Sequence, residues 1–211
     1  MPNVRRIVRG VFRGCYHWFL SLASQPIDRE LTRRDSRRGG GNLRWFTPEE
    51  AEVAAALANV IVPSDEETPG LDDIDVLGPS ATTMLDKLLQ ADRHKQDVYA
   101  RGLLSFDLWA IRKHGCPFAK LTAGDQVALF QQAQQFNEKL SSGSRVIRAW
   151  RLLCGVTQAA KGPLFAARLF PEIRNDCFQV FYTSRVSWVW LEYDGPPMDE
   201  GYPKLTARHG V

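Results

Sequence analysis

Histidine and cysteine side chains are the first candidates for chemistry in this sequence. The four histidines, at positions 17, 94, 114 and 209, form no HExxH pair and no Cys/His spacing typical of zinc. The four cysteines, at positions 15, 116, 154 and 177, form no CxxC pair, so free thiols are favoured over disulfides. Only His114 and Cys116 stand close together, in "HGC" at a predicted helix end. We predict that this pair is structural or exposed. The alternative is a free-standing helical enzyme that uses His114, Cys116 or the acidic residues between positions 63 and 80.

A second candidate for chemistry is the acidic stretch "PSDEETPGLDDIDVLGPS", residues 63–80. Its prolines and glycines predict a loop, and its carboxylates could bind a cation. However, the spacing does not match a calcium loop, in which oxygen ligands alternate around a central glycine. The sequence also lacks a GxSxG elbow, a GxGxxG fingerprint and a phosphate loop. These observations favour a solvated acidic loop, no metal or cofactor site in this chain, and an interaction protein over an enzyme.

The elements that position these residues are predicted to be helices. The clearest is "FTPEEAEVAAALANVIVP": Thr47 caps it, Pro48 fits its first position, and Glu50 completes a capping box. Phe46 precedes the cap as a hydrophobic staple, and Pro63 ends the helix. Apolar residues at helical spacing predict one buried face, made by Val53, Leu57, Val60 and Ile61.

Further helical stripes follow along the chain. Thr122 and Asp125 predict the capped start of a helix, and another helix is predicted to begin near Val146. No long β-branched alternation with hairpin turns occurs. The fold class is therefore all-α, a compact multi-helix domain. The predicted stripes are Ala81, Met84, Leu85, Leu88 and Leu89; Tyr99, Leu103, Phe106 and Ala110; and Val127, Phe130, Ala133, Phe136 and Leu140.

Charge divides the chain into segments. Residues 1–45 hold ten arginines against three acidic residues, a net charge of +7, so the remainder carries −4 of the total +3. "TRRDSRRGGGN", residues 32–42, has the composition of a linker. We therefore predict a basic flexible arm over residues 1–42, a helical domain over 43–205 and an extended tail over 206–211. Residues 14–27 are too short and too polar to span a bilayer.

The basic arm has two possible interpretations. It is a degenerate export signal, or it is a flexible arm or amphipathic surface helix. Because the basic residues lie in the arm and the folded part is acidic, we expect no nucleic-acid partner. A basic-arm adaptor for anionic surfaces is the third functional hypothesis, beside the accessory protein and the enzyme.

Aromatic residues concentrate near the carboxyl end, in "FYTSRVSWVWLEYDGPP", residues 181–197. Six of the 22 aromatic residues of the chain fall within residues 178–193. Either one long helix runs through this segment, or Thr183 and Ser184 cap a second short helix. In both cases one narrow core-facing stripe cannot cover every ring, so at least some rings are expected to face the core of the chain, a membrane or a second protein. If a second protein covers them, the predicted partner interface comprises Phe181, Tyr182, Trp188, Trp190, Tyr193, Pro196, Pro197 and Tyr202.

Two segments resemble the gluconate 2-dehydrogenase subunit 3 family. "LRWFTPEEAEVAAALANVIVPSDEETPG" is similar to the family's opening, a capped helix with an "IVP" step, acidic residues and a turn. "FYTSRVSWVWLEYDGPPMDEGYP" is similar to its closing segment. The resemblance covers about residues 43–205. The matching positions are Ile61, Val62, Pro63, Asp65, Pro69 and Gly70 in the opening, and Phe181, Tyr182, Thr183, Ser184, Trp188, Tyr193, Asp194, Gly195, Pro196, Gly201 and Tyr202 in the closing segment.

The resemblance implies a helical, non-catalytic small subunit without a cofactor of its own. It would bind a large FAD-containing dehydrogenase subunit of the glucose-methanol-choline type, which oxidises a sugar or alcohol and passes electrons to a c-type cytochrome. The small subunit would help its partner to mature and to be exported to the periplasm, with at most indirect membrane association. No twin-arginine pair, at residues 5–6, 33–34 or 37–38, precedes the expected apolar pattern. A cytoplasmic location is therefore the alternative.

Overall fold

A computed structural model describes residues 27–35, 38, 43–76, 78–141 and 163–193 of the chain. Across these ranges every regular element is a helix, which confirms the all-α prediction. None of the described helices is long and apolar enough to cross a membrane. We number the α-helices α1 (27–35), α2 (Pro48–Ile61), α3 (Ala81–Leu89), α4 (Arg93–His114), α5 (Ala123–Ser141), α6 (Pro163–Tyr182) and α7 (Arg185–Trp190). Two 3-10 helices cover Leu71–Val76 and Phe118–Lys120.

Several predictions fall outside the described residues. They concern the arm before residue 27, the helix near Val146 and the tail after Tyr193. The predicted site residues Pro196, Pro197 and Tyr202 belong to this group.

Helix α2 forms as its local sequence predicts. The Thr47 hydroxyl accepts the N–H of Glu50 at 3.2 Å, and the Glu50 carboxylate accepts the N–H of Thr47 at 3.1 Å. Phe46 is fully buried beside this cap, and the helix ends at Ile61, two residues before Pro63. Of the predicted face, Val53 and Leu57 are buried, whereas Val60 and Ile61 are only half-buried. Ala54 and Ala58 are buried as well.

Helices α4 and α6 pack against each other at the centre of the domain. The predicted stripe of Tyr99, Leu103, Phe106 and Ala110 on α4 is completely buried. The side chain of Asp176 on α6 accepts hydrogen bonds from the Tyr99 hydroxyl at 2.8 Å and from Lys95 Nζ at 2.6 Å. Because the Asp176 carboxylate has both partners, it is buried without an unmatched charge.

The apolar stripe predicted for α5 is confirmed at Phe130 and Ala133 but not along its whole length. The cap is as predicted, since the Thr122 hydroxyl accepts the N–H of Asp125 at 3.2 Å. However, Val127 is exposed, whereas Leu129, which the predicted stripe omits, is fully buried with Ala133. The reason is that α5 packs against both α2 and α6, so its buried face is set by two neighbours.

The amino-terminal boundary differs from the predicted one. Residues 27–35 were assigned to the flexible arm, but they form α1, whose Ile27 and Leu31 are buried against Leu104 and Phe165. Arg34 reaches Asp107 on α4, with Nη2 3.3 Å from Oδ2. Arg38, beyond α1, reaches Glu50 on α2, with Nη1 2.9 Å from Oε2. Arg34 and Arg38, which belong to the segment predicted as a linker, therefore form ion pairs with carboxylates of the domain.

Candidate partner interface

The aromatic carboxyl-terminal segment consists of two helices joined by a tight turn. Helix α6 ends at Tyr182, and Ser184 caps α7 by accepting the N–H of Ser187 at 3.2 Å. The buried Ser187 hydroxyl donates to the carbonyl of Phe181 at 2.6 Å. Of the two alternatives left open by the sequence, the second short helix is therefore correct. This serine pair ties α7 to the end of α6 and fixes its direction.

The end of α7 is a Schellman motif that positions Tyr193. The N–H of Tyr193 donates to the carbonyl of Trp188 at 2.7 Å, and the N–H of Glu192 donates to Val189 at 3.2 Å. Glu192 takes the left-handed conformation, with φ of 54°, that glycine usually supplies. The Tyr193 ring packs edge-on against Trp188, with centroids 6.1 Å apart. The apolar contact that accompanies this motif thus holds the tyrosine beside the helix.

The predicted interface residues have different environments. Phe181 is buried, with its ring beneath those of Tyr182 and Trp190. Trp188 is half-buried, and its Nε1–H donates to the carbonyl of Tyr182 at 2.7 Å. Tyr182, Trp190 and Tyr193 are 56%, 43% and 42% exposed. Three of the five described residues therefore present large apolar surfaces to the outside.

Three further exposed apolar side chains extend this surface, and the predicted site omitted them. They are Phe178 on α6, and Val189 and Leu191 at the end of α7. Phe178 contacts Tyr182, and Tyr182 contacts Phe181 next to Trp190, so the rings are continuous. The position of Val189 and Leu191 beside Trp190 in sequence was the available signal. We call the six exposed residues the aromatic patch: Phe178, Tyr182, Val189, Trp190, Leu191 and Tyr193.

The acidic loop, residues 63–76, borders the aromatic patch. Trp190 Nε1–H donates to the carbonyl of Glu67 at 3.2 Å, and the 3-10 helix Leu71–Val76 contacts α7. Within the loop, Asp65 Oδ1 accepts the N–H groups of Glu67 and Thr68 at 2.9 and 2.7 Å. The hydrogen bonds from Thr68 and Glu67 lower the pKa of Asp65, so this carboxylate stays ionised.

Two of the residues proposed for the enzyme alternative, His114 and Cys116, lie at the carboxyl end of α4. His114 Nδ1 is 3.9 Å from Asp125 Oδ1, and Cys116 packs half-buried against the main core. Cys177 is fully buried, and burial, with nearby Asp176, raises the pKa of its thiol. Within the described ranges, no group of three or more histidine, cysteine or acidic side chains is arranged to bind a metal.

Comparison with known proteins identifies a family for most of the chain. The family model described as Gluconate 2-dehydrogenase subunit 3 matches residues 48–195. The match begins at the first residue of α2 and ends just beyond Tyr193, so it contains the acidic loop and the aromatic patch. No curated protein and no solved structure matches the chain.

Proposed function

The chain belongs to the gluconate 2-dehydrogenase subunit 3 family, and on that premise we propose that it is a non-catalytic small subunit. It binds and stabilises a large FAD-dependent dehydrogenase of the glucose-methanol-choline type, which oxidises a sugar or alcohol. The observation that supports this proposal best is the aromatic patch, since six large apolar side chains are exposed on adjoining helices. Exposed apolar clusters of this kind mark protein interaction sites.

The energetics of the patch favour a protein partner. Covering apolar surface contributes about 25 cal/mol per Å², and aromatic residues are large. Trp and Tyr are also the residues that most often dominate the binding energy of interfaces. The Trp190 indole N–H and the Tyr193 ring are already held by contacts within the chain. Because these side chains are preorganised, binding would order little that is not ordered already.

The proposal divides the work between two chains. The large subunit holds FAD and reacts with the substrate, and electrons pass from it to a c-type cytochrome. The small subunit binds the folded large subunit and not the unfolded chain, so it stabilises the partner by mass action. We also propose that it accompanies the partner during maturation and export, which would place the complex in the periplasm. The family assignment supports a subunit role, and the export step extends it.

Co-expression with a candidate flavoprotein of the glucose-methanol-choline type, sought among the genes adjacent to the one for this chain, tests the proposal. We expect the two chains to copurify, and the yield of FAD-loaded flavoprotein to fall when the small subunit is omitted. A flavoprotein that keeps its full yield and activity without this chain would overturn the proposal.

Substitution of Trp190 tests the patch itself. We expect Trp190→Ala to weaken the complex by about 2 kcal/mol or more, roughly 30-fold in Kd, because it removes an exposed central ring. Ile111→Ala is the matched control, since Ile111 is an exposed apolar residue on α4 and lies outside the patch. Titration by fluorescence anisotropy measures both affinities.

Trp188→Ala provides a contrast in the same helix. Trp188 is half-buried and bonded to the Tyr182 carbonyl, so its loss should lower the melting temperature of the free chain. Circular dichroism of each free variant separates this effect from weakened binding. Equal affinities for the Trp190 and Ile111 variants would rule out the patch as the interface.

A further inference from the structure

We infer that the partner surface that meets the aromatic patch carries a rim of lysine and arginine side chains, placed to face the acidic loop. This inference rests on the proposed function and deepens it by naming the chemistry of the partner. The position of the loop, its unmatched charge and the backbone contacts that close it support the inference.

The acidic loop and the aromatic patch form one continuous surface. The hydrogen bond from Trp190 to the Glu67 carbonyl joins them directly, and α7 lies on the 3-10 helix Leu71–Val76. Val76, at the end of that 3-10 helix, is a further exposed apolar side chain, with 75% of its surface accessible. A protein that covers Trp190 must therefore also approach the carboxylates of the loop.

The charge of the loop is not neutralised by the part of this chain that the structure describes. Ten acidic residues and no lysine or arginine occur between Arg44 and Lys87. No ion pair joins the loop carboxylates to a basic side chain among the described residues. Those that are exposed are Asp65, Glu66, Glu67, Asp72 and Asp75.

Backbone contacts hold the loop in place beside the patch. The N–H of Leu71 donates to the carbonyl of Val62 at 3.1 Å and closes the loop against the end of α2. A Cβ atom at Gly70 would lie 2.3 Å from the N atom of Ser64, so only glycine permits this approach. The Asp73 carboxylate accepts the N–H of Gly70 at 2.7 Å. The carboxylates are thus presented from a closed loop and not from a loose segment.

Negative charge beside an apolar surface favours a partner of opposite charge. Complementary charges at the rim of an interface act mainly on the rate of association, and this effect decreases with salt. Like charges facing the rim would oppose docking of the apolar centre. The aromatic patch should accordingly govern dissociation, while the acidic loop governs association.

Charge reversal in the loop tests the inference. We compare Glu66→Lys/Asp75→Lys with a control of equal charge change, Glu52→Lys/Glu138→Lys, at exposed positions on α2 and α5. Association with the purified flavoprotein is followed by stopped flow between 20 and 300 mM salt. In low salt we expect the loop variant to associate about tenfold more slowly than the control, with a similar dissociation rate. The wild-type rate should fall with salt, and the loop variant should lose that dependence.

The outcomes separate this inference from the proposed function. A complex that forms with the same rates and salt dependence in both variants overturns the basic rim and leaves the subunit role intact. Failure of any complex to form overturns both. If the free chain instead forms a salt-sensitive homodimer that the loop reversal disrupts, the occupant is a second copy, and the inference is again overturned.

Discussion

At the scale of single residues, two arginines before the family-matched region complete the domain. Asp107 and Glu50 are buried, and burial raises the pKa of each carboxyl. Arg34 opposes this rise at Asp107, and Arg38 opposes it at Glu50. Arg38 also lies over the Trp45 ring, with its guanidinium carbon 4.2 Å from the centroid. Each arginine therefore supplies the positive charge that pairs with a buried carboxylate of the domain.

Removal of Arg38 should destabilise the domain in a pH-dependent way. Burial already raises the pKa of Glu50 above its ordinary value, and without Arg38 that pKa rises further. A raised carboxyl pKa favours folding below about pH 4.5, and the advantage disappears as the pH rises through the folded pKa. We therefore expect Arg38→Met to cost about 3 kcal/mol near pH 8 and much less near pH 4.5. Urea unfolding at a series of pH values measures the difference.

The Glu50→Gln background is the control for that prediction. Without a carboxylate to leave unpaired, Arg38→Met should cost little there, and the cost should not change with pH. An equal cost in both backgrounds would show that stacking on Trp45, and not the ion pair, is what matters at Arg38.

At the scale of elements, features set by neighbouring residues could be predicted from the sequence, and features set by distant residues could not. The caps at Thr47 and Thr122 act across three residues, so the sequence alone reveals them. The partner of Arg34 lies 73 residues away in sequence, and for this reason composition misassigned α1. In the candidate site, the aromatic cluster was visible in the sequence. The sequence does not show that Trp188 is half-buried while Trp190 is exposed and donates to the carbonyl of Glu67, 123 residues away.

The crossing of α4 and α6 depends on Gly102. A Cβ atom there would lie 2.4 Å from the Cβ of Leu169, an atom that cannot move without the α6 backbone. We expect Gly102→Ala to destabilise the domain by about 1–2 kcal/mol, because overpacking outweighs the gain in helix propensity. Gly124→Ala on α5 is the matched control, since nothing lies within 4 Å of its added methyl group. It should instead stabilise by about 0.5 kcal/mol. Thermal unfolding measures the melting temperature of both variants. Equal shifts in melting temperature would contradict a close packing role for Gly102.

At the scale of the whole molecule, ion pairs connect the basic amino-terminal part of the chain with the acidic remainder. Within residues 27–38, Arg33 pairs with Glu30, Arg34 pairs with Asp107, and Arg38 pairs with Asp35 and Glu50. Asp28 in turn pairs with Arg101 on α4, with 2.6 Å between the charged atoms. These described arginines thus form ion pairs within the fold. In contrast, most carboxylates of the acidic loop, which follows the carboxyl end of α2, are exposed on the surface.

Two truncations distinguish the predicted boundary at residue 42 from the one that the structure shows. Removing residues 1–42 deletes the buried Ile27 and Leu31 and leaves Asp107 and Glu50 buried without their arginines. Because an unpaired buried charge alone costs about 3–5 kcal/mol, we expect a loss of at least about 3 kcal/mol in unfolding free energy. Removing only residues 1–26 keeps α1 and both arginines, so this shorter truncation should unfold close to the full chain. Urea titrations of the three proteins measure the differences. If the two truncated chains were equally stable, α1 would not contribute to the stability of the domain, and the boundary predicted at residue 42 would be correct.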